Sequence, residues 1–382
     1  MNINRELVMI PGPTPVISSI REEMGRETAS FKDPNYVDDF KQVIKDLKEL
    51  WNTQGEVFVV PGTGTLSMEM VISNIVQKND PILVTSNGFF GDRMIELCKK
   101  KGLDVDTLSS EWGETISAVD IENKLREKNY KAVTVTHVDT STGVKAPIEE
   151  IGKVLKKYED TLFVVDGVCS TAGEPEDMDG MGIDVLLTAS QKAFCIPPGL
   201  ALVWAGKNAL ERRAELGEIS EYFIDFNKWL PIMNNPTKYF GTPAVNLVWA
   251  LKESLNVIKE EGLQERFQRH KVWGKAVQEA LLELGFTILA KEGSRAATLS
   301  NVIYPEGIED QEFRRVLKEE GVVVAGGLGS YAGKMFRLGH MGNIDINELV
   351  SVMSSIERTL YRVGYPVEFG SGVRVMLDNI LR

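Results

Sequence analysis

The sequence predicts an α/β protein: a large domain with a mostly parallel sheet wrapped by helices, then a smaller C-terminal α+β domain. Three observations carry this expectation. Short apolar runs alternate with longer stretches whose apolar residues fall at helical spacing. Most of the short runs are continuously apolar or β-branched, as in strands covered on both faces. Around residue 244 the rhythm changes to long helices mixed with short strands. At 382 residues the chain has room for two or three domains of about 150 residues each.

In chain order, the strand-like runs of the first part are Val57–Val60, Ile82–Thr85, Ala132–Thr136, Leu162–Asp166, Val185–Ala189 and Leu200–Trp204. Between them, Leu66–Gln77, Arg93–Lys101 and Ile148–Lys157 read as helices, which gives the strand–helix–strand order of a parallel sheet. Pro243 is placed to open a helix, so Ala244–Glu261 reads as one long helix and Leu263–Leu284 as the next. Beyond these, Thr298–Tyr304, Gly321–Ala325 and Lys334–Leu338 read as strands, with Asp310–Glu320 and Ile346–Val363 as helices. We expect an N-terminal arm over residues 1–20, a large domain over 21–258 and a small domain over 259–382. No Gly/Pro-rich linker separates the last two.

Composition excludes several classes of function. With 43% hydrophobic and 26% charged residues the chain is neither a disordered tail nor a collagen-like fibre. Lys plus Arg total 43 against 55 for Asp plus Glu, and the net charge of −12 repels phosphate backbones and anionic lipid. We therefore expect no nucleic-acid and no membrane partner. No apolar run approaches the ~20 residues that cross a bilayer. The opening MNINRELVMIPGP lacks the apolar core and cleavage site of a secretory signal. The three cysteines, Cys98, Cys169 and Cys195, are odd in number and widely spaced, so neither a disulfide framework nor a metal site is expected. These features together point to the cytoplasm.

Ligands of doubly wound sheets sit beyond the carboxyl ends of the strands, so the residues just after each apolar run are the informative ones. After Val57–Val60 comes Pro61-Gly62-Thr63-Gly64-Thr65, then a helix. This reads equally as a tight turn or as a cradle in which free N–H groups hold a phosphate. Gly62-x-Gly64-x-x-Ser67 approaches a dinucleotide fingerprint, but the next run ends in Thr85-Ser86-Asn87-Gly88 and lacks the ribose-binding acid. Asp166 closes an apolar strand, where a carboxylate is costly without a cation or hydrogen-bond donor. Alone, it reads as a helix cap or structural ion pair. Lys192 follows Val185–Ala189 among small and apolar residues; such desolvation lowers a lysine pKa and frees the amine to attack carbonyls. Its bland alternative is a surface lysine. A phosphate cradle, a buried acid and a nucleophilic amine on one sheet edge match pyridoxal phosphate, which carries a phosphate, a ring nitrogen and an aldehyde.

The segments GTGT, NGFFGDR, HVDTSTG, VVDGVCS, SQKAFCIPPG, YFGTP and FRLGHMG follow one another in the order found in a known family. From Pro11-Gly12-Pro13 to Gly339-His340-Met341-Gly342 the chain resembles class V aminotransferases of pyridoxal-phosphate fold type I, nearest the alanine–glyoxylate and serine–pyruvate group. The resemblance implies that Lys192 forms the Schiff base, Asp166 pairs with the pyridine nitrogen and Val168 packs beneath the ring. It further implies that Thr63, Gly64, Thr65 and Gln191 face the phosphate, and that Thr140 lies near the ring's 3-oxygen. Tyr239 and Thr242 match residues that reach the phosphate of the neighbouring subunit, which implies a homodimer with shared sites. Arg337 matches the arginine that grips the substrate carboxylate, a task suited to a guanidinium fork, and Gly12 lies in the matching N-terminal substrate segment. Where that group stacks a tryptophan on the ring, this chain has Phe90, with less area and no N–H.

The activity so implied is transamination from a small amino acid, such as alanine or serine, to a 2-oxo acid such as glyoxylate or pyruvate. Other donors, aspartate or a pyridoxamine-type amine, remain open alternatives. A cysteine desulfurase would need a cysteine in the C-terminal domain, and all three here precede residue 200. Some family members are labelled as hydrogenase subunits; a cluster-bearing redox role would need grouped cysteines. Cys169 and Cys195 read as small buried fillers. His137, His270 and His340 are too scattered for a metal site or a triad, and His340 reads as structural.

Overall fold

All six apolar runs of the first part become strands of one seven-stranded sheet in the computed structural model, which describes residues 6–381. Residues 1–5 of the expected arm, and Arg382, lie outside the described residues. The spatial order is Glu56–Gly62, Gly199–Ala205, Val185–Ala189, Leu162–Asp166, Ala132–Thr136, Pro81–Ser86 and Asp104–Ser109. The last five strands are mutually parallel, whereas Gly199–Ala205 runs antiparallel to both of its neighbours. Asp166, Thr136, Ser86 and Ala189 therefore end on one edge, joined there by Gly62 opposite Gly199.

The seventh strand, Asp104–Ser109, has no continuous apolar run because it lies at the sheet edge and is half exposed. Its Asp104 and Asp106 bind Lys128, and charge on an edge discourages further strand pairing. A long helix absent from the expectations, Pro34–Leu50, starts at Asp33, whose carboxylate accepts from the Asn35 and Tyr36 N–H groups at 2.9 and 3.3 Å. It buries Tyr36, Val37, Phe40, Val43, Ile44 and Leu47 along one face.

A second sheet, entirely antiparallel, is ordered Thr287–Ile288, Leu299–Ile303, Met335–Gly339 and Ala325–Gly326. The strand expected over Gly321–Ala325 divides. Val322–Val323 pairs in parallel with Leu7–Val8 of the N-terminal arm, while Ala325–Gly326 pairs with Met335–Gly339. The arm supplies the edge partner, so chain-local patterning does not show the break. Between Met9 and Gly339 the pairing continues, with the Gly339 N–H donating to the Met9 carbonyl at 2.8 Å.

Two apolar cores result. One joins residues from Ile20 to Ile258 with Ala296, Leu299 and Met341; the other joins Met9 to residues between Ala276 and Met376. The long helices Val245–Glu261 and Leu263–Glu283 meet at Gly262, whose φ of +84° suits glycine.

Candidate active site

The carboxyl edge of the large sheet brings the expected anchors together. Gly62 ends its strand and Thr63 caps the helix Gly64–Ile75, its Oγ1 accepting from the Leu66 N–H at 3.5 Å. A Cβ built on Gly64 would lie 3.1 Å from Val168 and 3.6 Å from Ala189. The cradle, the residue after Asp166-Gly167 and the strand leading to Lys192 thus form one wall.

Lys192 is buried, and its Nζ donates to the carbonyl of Pro11. The N-terminal arm crosses directly over it. The Thr14 hydroxyl donates to the Lys192 carbonyl at 2.8 Å, and the Thr14 N–H to the Gln191 carbonyl at 3.1 Å. Gln191 keeps a buried Oε1 without a partner. Asp166 is also buried, and its carboxylate accepts from the Val168 N–H at 3.0 Å. Burial pushes this carboxyl up from its ordinary 3.8 to about 7; the Val168 bond opposes the rise and the Asp139 charge adds to it.

Asp139, which the sequence reading passed over inside HVDTSTG, organises the opposite side. Its buried carboxylate accepts from the N–H groups of Phe90 at 2.9 Å, Gly91 at 3.2 Å and Ser141 at 2.9 Å, and from the Ser141 hydroxyl at 2.6 Å. This single side chain starts the helix Phe89–Lys100 and fixes Phe90 relative to Thr140. Arg93, inside NGFFGDR and also passed over, lies 4.8 Å over the Phe90 ring and donates to Thr65 Oγ1 at 3.3 Å. It links Phe90 to the Thr63–Thr65 turn.

Arg337 sits on Met335–Gly339, and its Nε donates to the Gly326 carbonyl at 2.8 Å. Among the described ion pairs none involves Arg337, so the rest of its fork is available to a carboxylate. Opposite it in register is Asn301, whose side-chain amide donates to the Ser141 carbonyl at 2.7 Å. The small sheet is thereby tied to the Thr140 loop. Tyr239 lies elsewhere: it is 64% exposed, its hydroxyl 3.4 Å from Thr242 Oγ1 and its ring against Phe31. The structure does not bring these two residues to Lys192 of the same chain.

The histidines do take part in buried networks. His137 Nδ1 and the Ser170 hydroxyl both reach Glu176 Oε1, at 2.8 and 2.6 Å, so these two side chains share the carboxylate as partner rather than bonding to each other. His340 Nε2 lies 2.9 Å from Ser300 Oγ, and burial lowers its pKa to about 4, which keeps it neutral. All three cysteines are buried and free. Among the described residues no group of side chains could hold a metal ion, and no helix is long and apolar enough to cross a membrane.

The residues present fit pyridoxal phosphate. A buried carboxyl that forms no ion pair among the described residues suits a protonated ring nitrogen, a helix start with exposed Thr63 and Thr65 suits a phosphate, and a buried amine at the same edge suits an aldehyde. The unpartnered Gln191 Oε1 marks the same place.

Comparison with known proteins agrees with this geometry. The family model described as Aminotransferase class-V matches residues 18–344. An uncharacterized aminotransferase of Methanocaldococcus jannaschii is 35% identical over 380 residues, covering 99% of this chain and 98% of that protein. A serine–glyoxylate aminotransferase of Arabidopsis thaliana is 32% identical over 376 residues, covering 97% and 94%. The crystal structure of an alanine–glyoxylate aminotransferase from Nostoc sp. superposes with a TM-score of 0.89 at 29% identity, covering 94% of this chain and 96% of that one.

Proposed function

Because this chain belongs to the class-V aminotransferase family and is a pyridoxal-phosphate-dependent aminotransferase, we propose that it moves the amino group of a small amino acid, such as alanine or serine, to a 2-oxo acid such as glyoxylate or pyruvate. When bound, pyridoxal phosphate supplies an aldehyde that captures amines and a protonated ring that draws electrons from the substrate α-carbon.

The chain's own residues do the rest. The N–H groups of Gly64 and Thr65, with the Thr63 and Gln191 side chains, would hold the phosphate at the helix start. Asp166 keeps the proton on the ring nitrogen, an ionic partner that offsets the cost of burying its carboxylate. Val168 and Phe90 would bracket the ring of the bound group, and the Thr140 hydroxyl would lie near its oxygen. Arg337 takes the substrate carboxylate through two parallel hydrogen bonds and so aims the α-hydrogen. With the group bound, the Lys192 amine would serve as the base at the substrate α-carbon, holding the proton it takes there and giving it back two atoms along, across the substrate nitrogen. Gly12, with the arm over Lys192, shields this amine from water.

We further place the enzyme in the cytoplasm as a homodimer. The free cysteines support the compartment. Tyr222 and Phe223, exposed and joined through Phe240, and the exposed Tyr239 next to Phe240 in sequence offer aromatic surface on which a second copy would set Tyr239 and Thr242 toward its neighbour's phosphate.

The observation that carries the proposal is the buried Lys192 amine on the same sheet edge as the buried Asp166 carboxyl. Protein supplied with the cofactor is expected to show the visible absorption of a lysine-linked pyridoxal, and to make a new 2-oxo acid from alanine or serine with glyoxylate. Lys192→Ala is expected to lose both. Turnover retained in that variant would overturn the proposal.

A further inference from the structure

Where the two long helices meet, one carboxylate grips two guanidinium groups. Glu261, the last residue of Val245–Glu261, accepts from Arg266 Nη1 at 2.7 Å through Oε2. It accepts from Arg269 Nε at 2.5 Å through Oε1 and from Arg269 Nη2 at 3.0 Å through Oε2. Gly262 makes the bend that brings these three side chains onto one side.

The two arginines then point to different places. Arg266, 1% exposed, donates from Nε to the Ala172 carbonyl at 3.0 Å and from Nη2 to the Ala193 carbonyl at 2.8 Å. Ala172 closes the turn that follows Asp166, and Ala193 is the residue after Lys192. Arg269 donates from Nη2 to the Gly342 carbonyl at 2.9 Å, in the turn that leaves the Arg337 strand. His270 ties the same turn to the same helix. Its Nε2 accepts from the Gly342 N–H at 2.8 Å, so its proton belongs on Nδ1, facing the Arg266 carbonyl at 2.7 Å.

Both turns held by Arg266 adopt conformations that need holding. Among the described residues, the non-glycine residues at positive φ are Asn52, Asn79, Ala172 and Cys195. Asparagine tolerates that region, whereas alanine and cysteine do so only where surroundings enforce it. Ala172 and Cys195 lie in the Asp166 and Lys192 turns. Cys195 also meets the third turn: its Sγ accepts from the Asn343 N–H at 3.3 Å, and a Cβ built on Gly342 would lie 1.9 Å from that sulfur.

We propose that Glu261, Arg266 and Arg269 are positioning residues: Arg266 sets the spacing of the two cofactor anchors, Lys192 and Asp166, while Arg269 sets the substrate anchor, Arg337, against them. The proposal rests on the assignment of Lys192, Asp166 and Arg337 given above. Losing Arg266 leaves two buried carbonyls unpaired beside the anchors, and small displacements of reacting groups are costly.

The experiment compares Arg266→Met, Arg266→Lys and Arg269→Gln with the unaltered enzyme. It measures the affinity for pyridoxal phosphate, the pH midpoint of the lysine-linked absorption, KM and kcat for the amino acid, and the melting point of cofactor-free protein. Arg266→Met is expected to weaken cofactor binding roughly 10- to 100-fold and move the absorption midpoint, with Arg266→Lys recovering part of both. Arg269→Gln is expected to leave cofactor affinity and absorption unchanged while raising KM more than it lowers kcat. A purely structural role predicts a lower melting point with affinity, absorption midpoint and the KM-to-kcat balance unmoved, and that result overturns the proposal. Should Arg266→Met fail to fold, Arg266→Lys decides for Arg266 by cofactor affinity and absorption midpoint, and Arg269→Gln decides for Arg269 by its KM-to-kcat split. Unaltered enzyme that lacks the Lys192-dependent absorption would instead refute the underlying site assignment.

Discussion

Gly12 lies so close over Lys192 that a Cβ built on it would meet the lysine's Cδ, Nζ and Cε at 2.6, 2.8 and 2.9 Å. Its φ of +108° is a conformation that side-chain-bearing residues rarely adopt. The arm that carries Gly12 is held from both sides: Leu7–Val8 pairs with Val322–Val323, and Thr14 bonds to the Gln191 and Lys192 carbonyls. The flexible lysine is therefore the part that yields. Gly12→Ala should displace the amine and lower kcat/KM by roughly 10- to 100-fold. Backbone strain should cost about 1–3 kcal/mol of stability. Steady-state kinetics and thermal melting check this, and an unchanged kcat/KM would contradict it.

The reach of sequence reasoning follows the range of the interactions. The positions of Lys192, Asp166 and Thr63–Thr65 at one sheet edge were legible because each sits where an apolar strand stops, a feature visible within a few residues. Helix Pro34–Leu50 was equally legible from Asp33-Pro34 and its apolar stripe, yet it lies away from any motif and escaped notice. The groups that hold the anchors in place were not legible. Thr14 meets the Lys192 carbonyl across 178 positions, Asn301 meets Ser141 across 160, and Arg266 meets Ala172 across 94. No local pattern announces such partners. Asp139 differs again: it stood inside a motif, but only the structure shows its carboxylate collecting the N–H groups of Phe90, Gly91 and Ser141.

Asp166 predicts a specific pH dependence. In cofactor-free protein its folded carboxyl titrates at about 7 against an ordinary 3.8, burial being the main cause. Between those values the folded protein holds more protons than the unfolded chain, so stability falls as pH rises through this window. The loss is complete above about pH 7 and amounts to roughly 4 kcal/mol. Asparagine carries no such charge. Cofactor-free Asp166→Asn should therefore melt higher than cofactor-free unaltered protein in mild alkali, with the gap closing toward about pH 4. Adding pyridoxal phosphate should stabilise the unaltered protein more than the variant, because only the carboxylate gains a cationic partner. Parallel melting curves across this range would show that the charge at Asp166 is not what the cofactor relieves.

The role proposed for Arg337 separates substrate recognition from cofactor chemistry. Its Nε is committed to the Gly326 carbonyl, which orients the fork, and its strand is fixed by pairing with Leu299–Ile303. A lysine at this position keeps the charge but loses the planar pair of donors. Arg337→Lys should weaken the grip on a carboxylate by about 1.5–3 kcal/mol, the range for hydrogen bonds to charged groups. That corresponds to a fall of roughly 10- to 150-fold in kcat/KM for the amino acid and the 2-oxo acid alike. Absorption from the Lys192-linked cofactor should be unaltered, since the arginine makes no bond to Lys192 or Asp166. A simple amine lacking the carboxylate supplies the internal control. Its slow reaction should proceed equally in both proteins, so a matching loss with the amine would mean that Arg337 supports the site as a whole rather than the substrate's acid group.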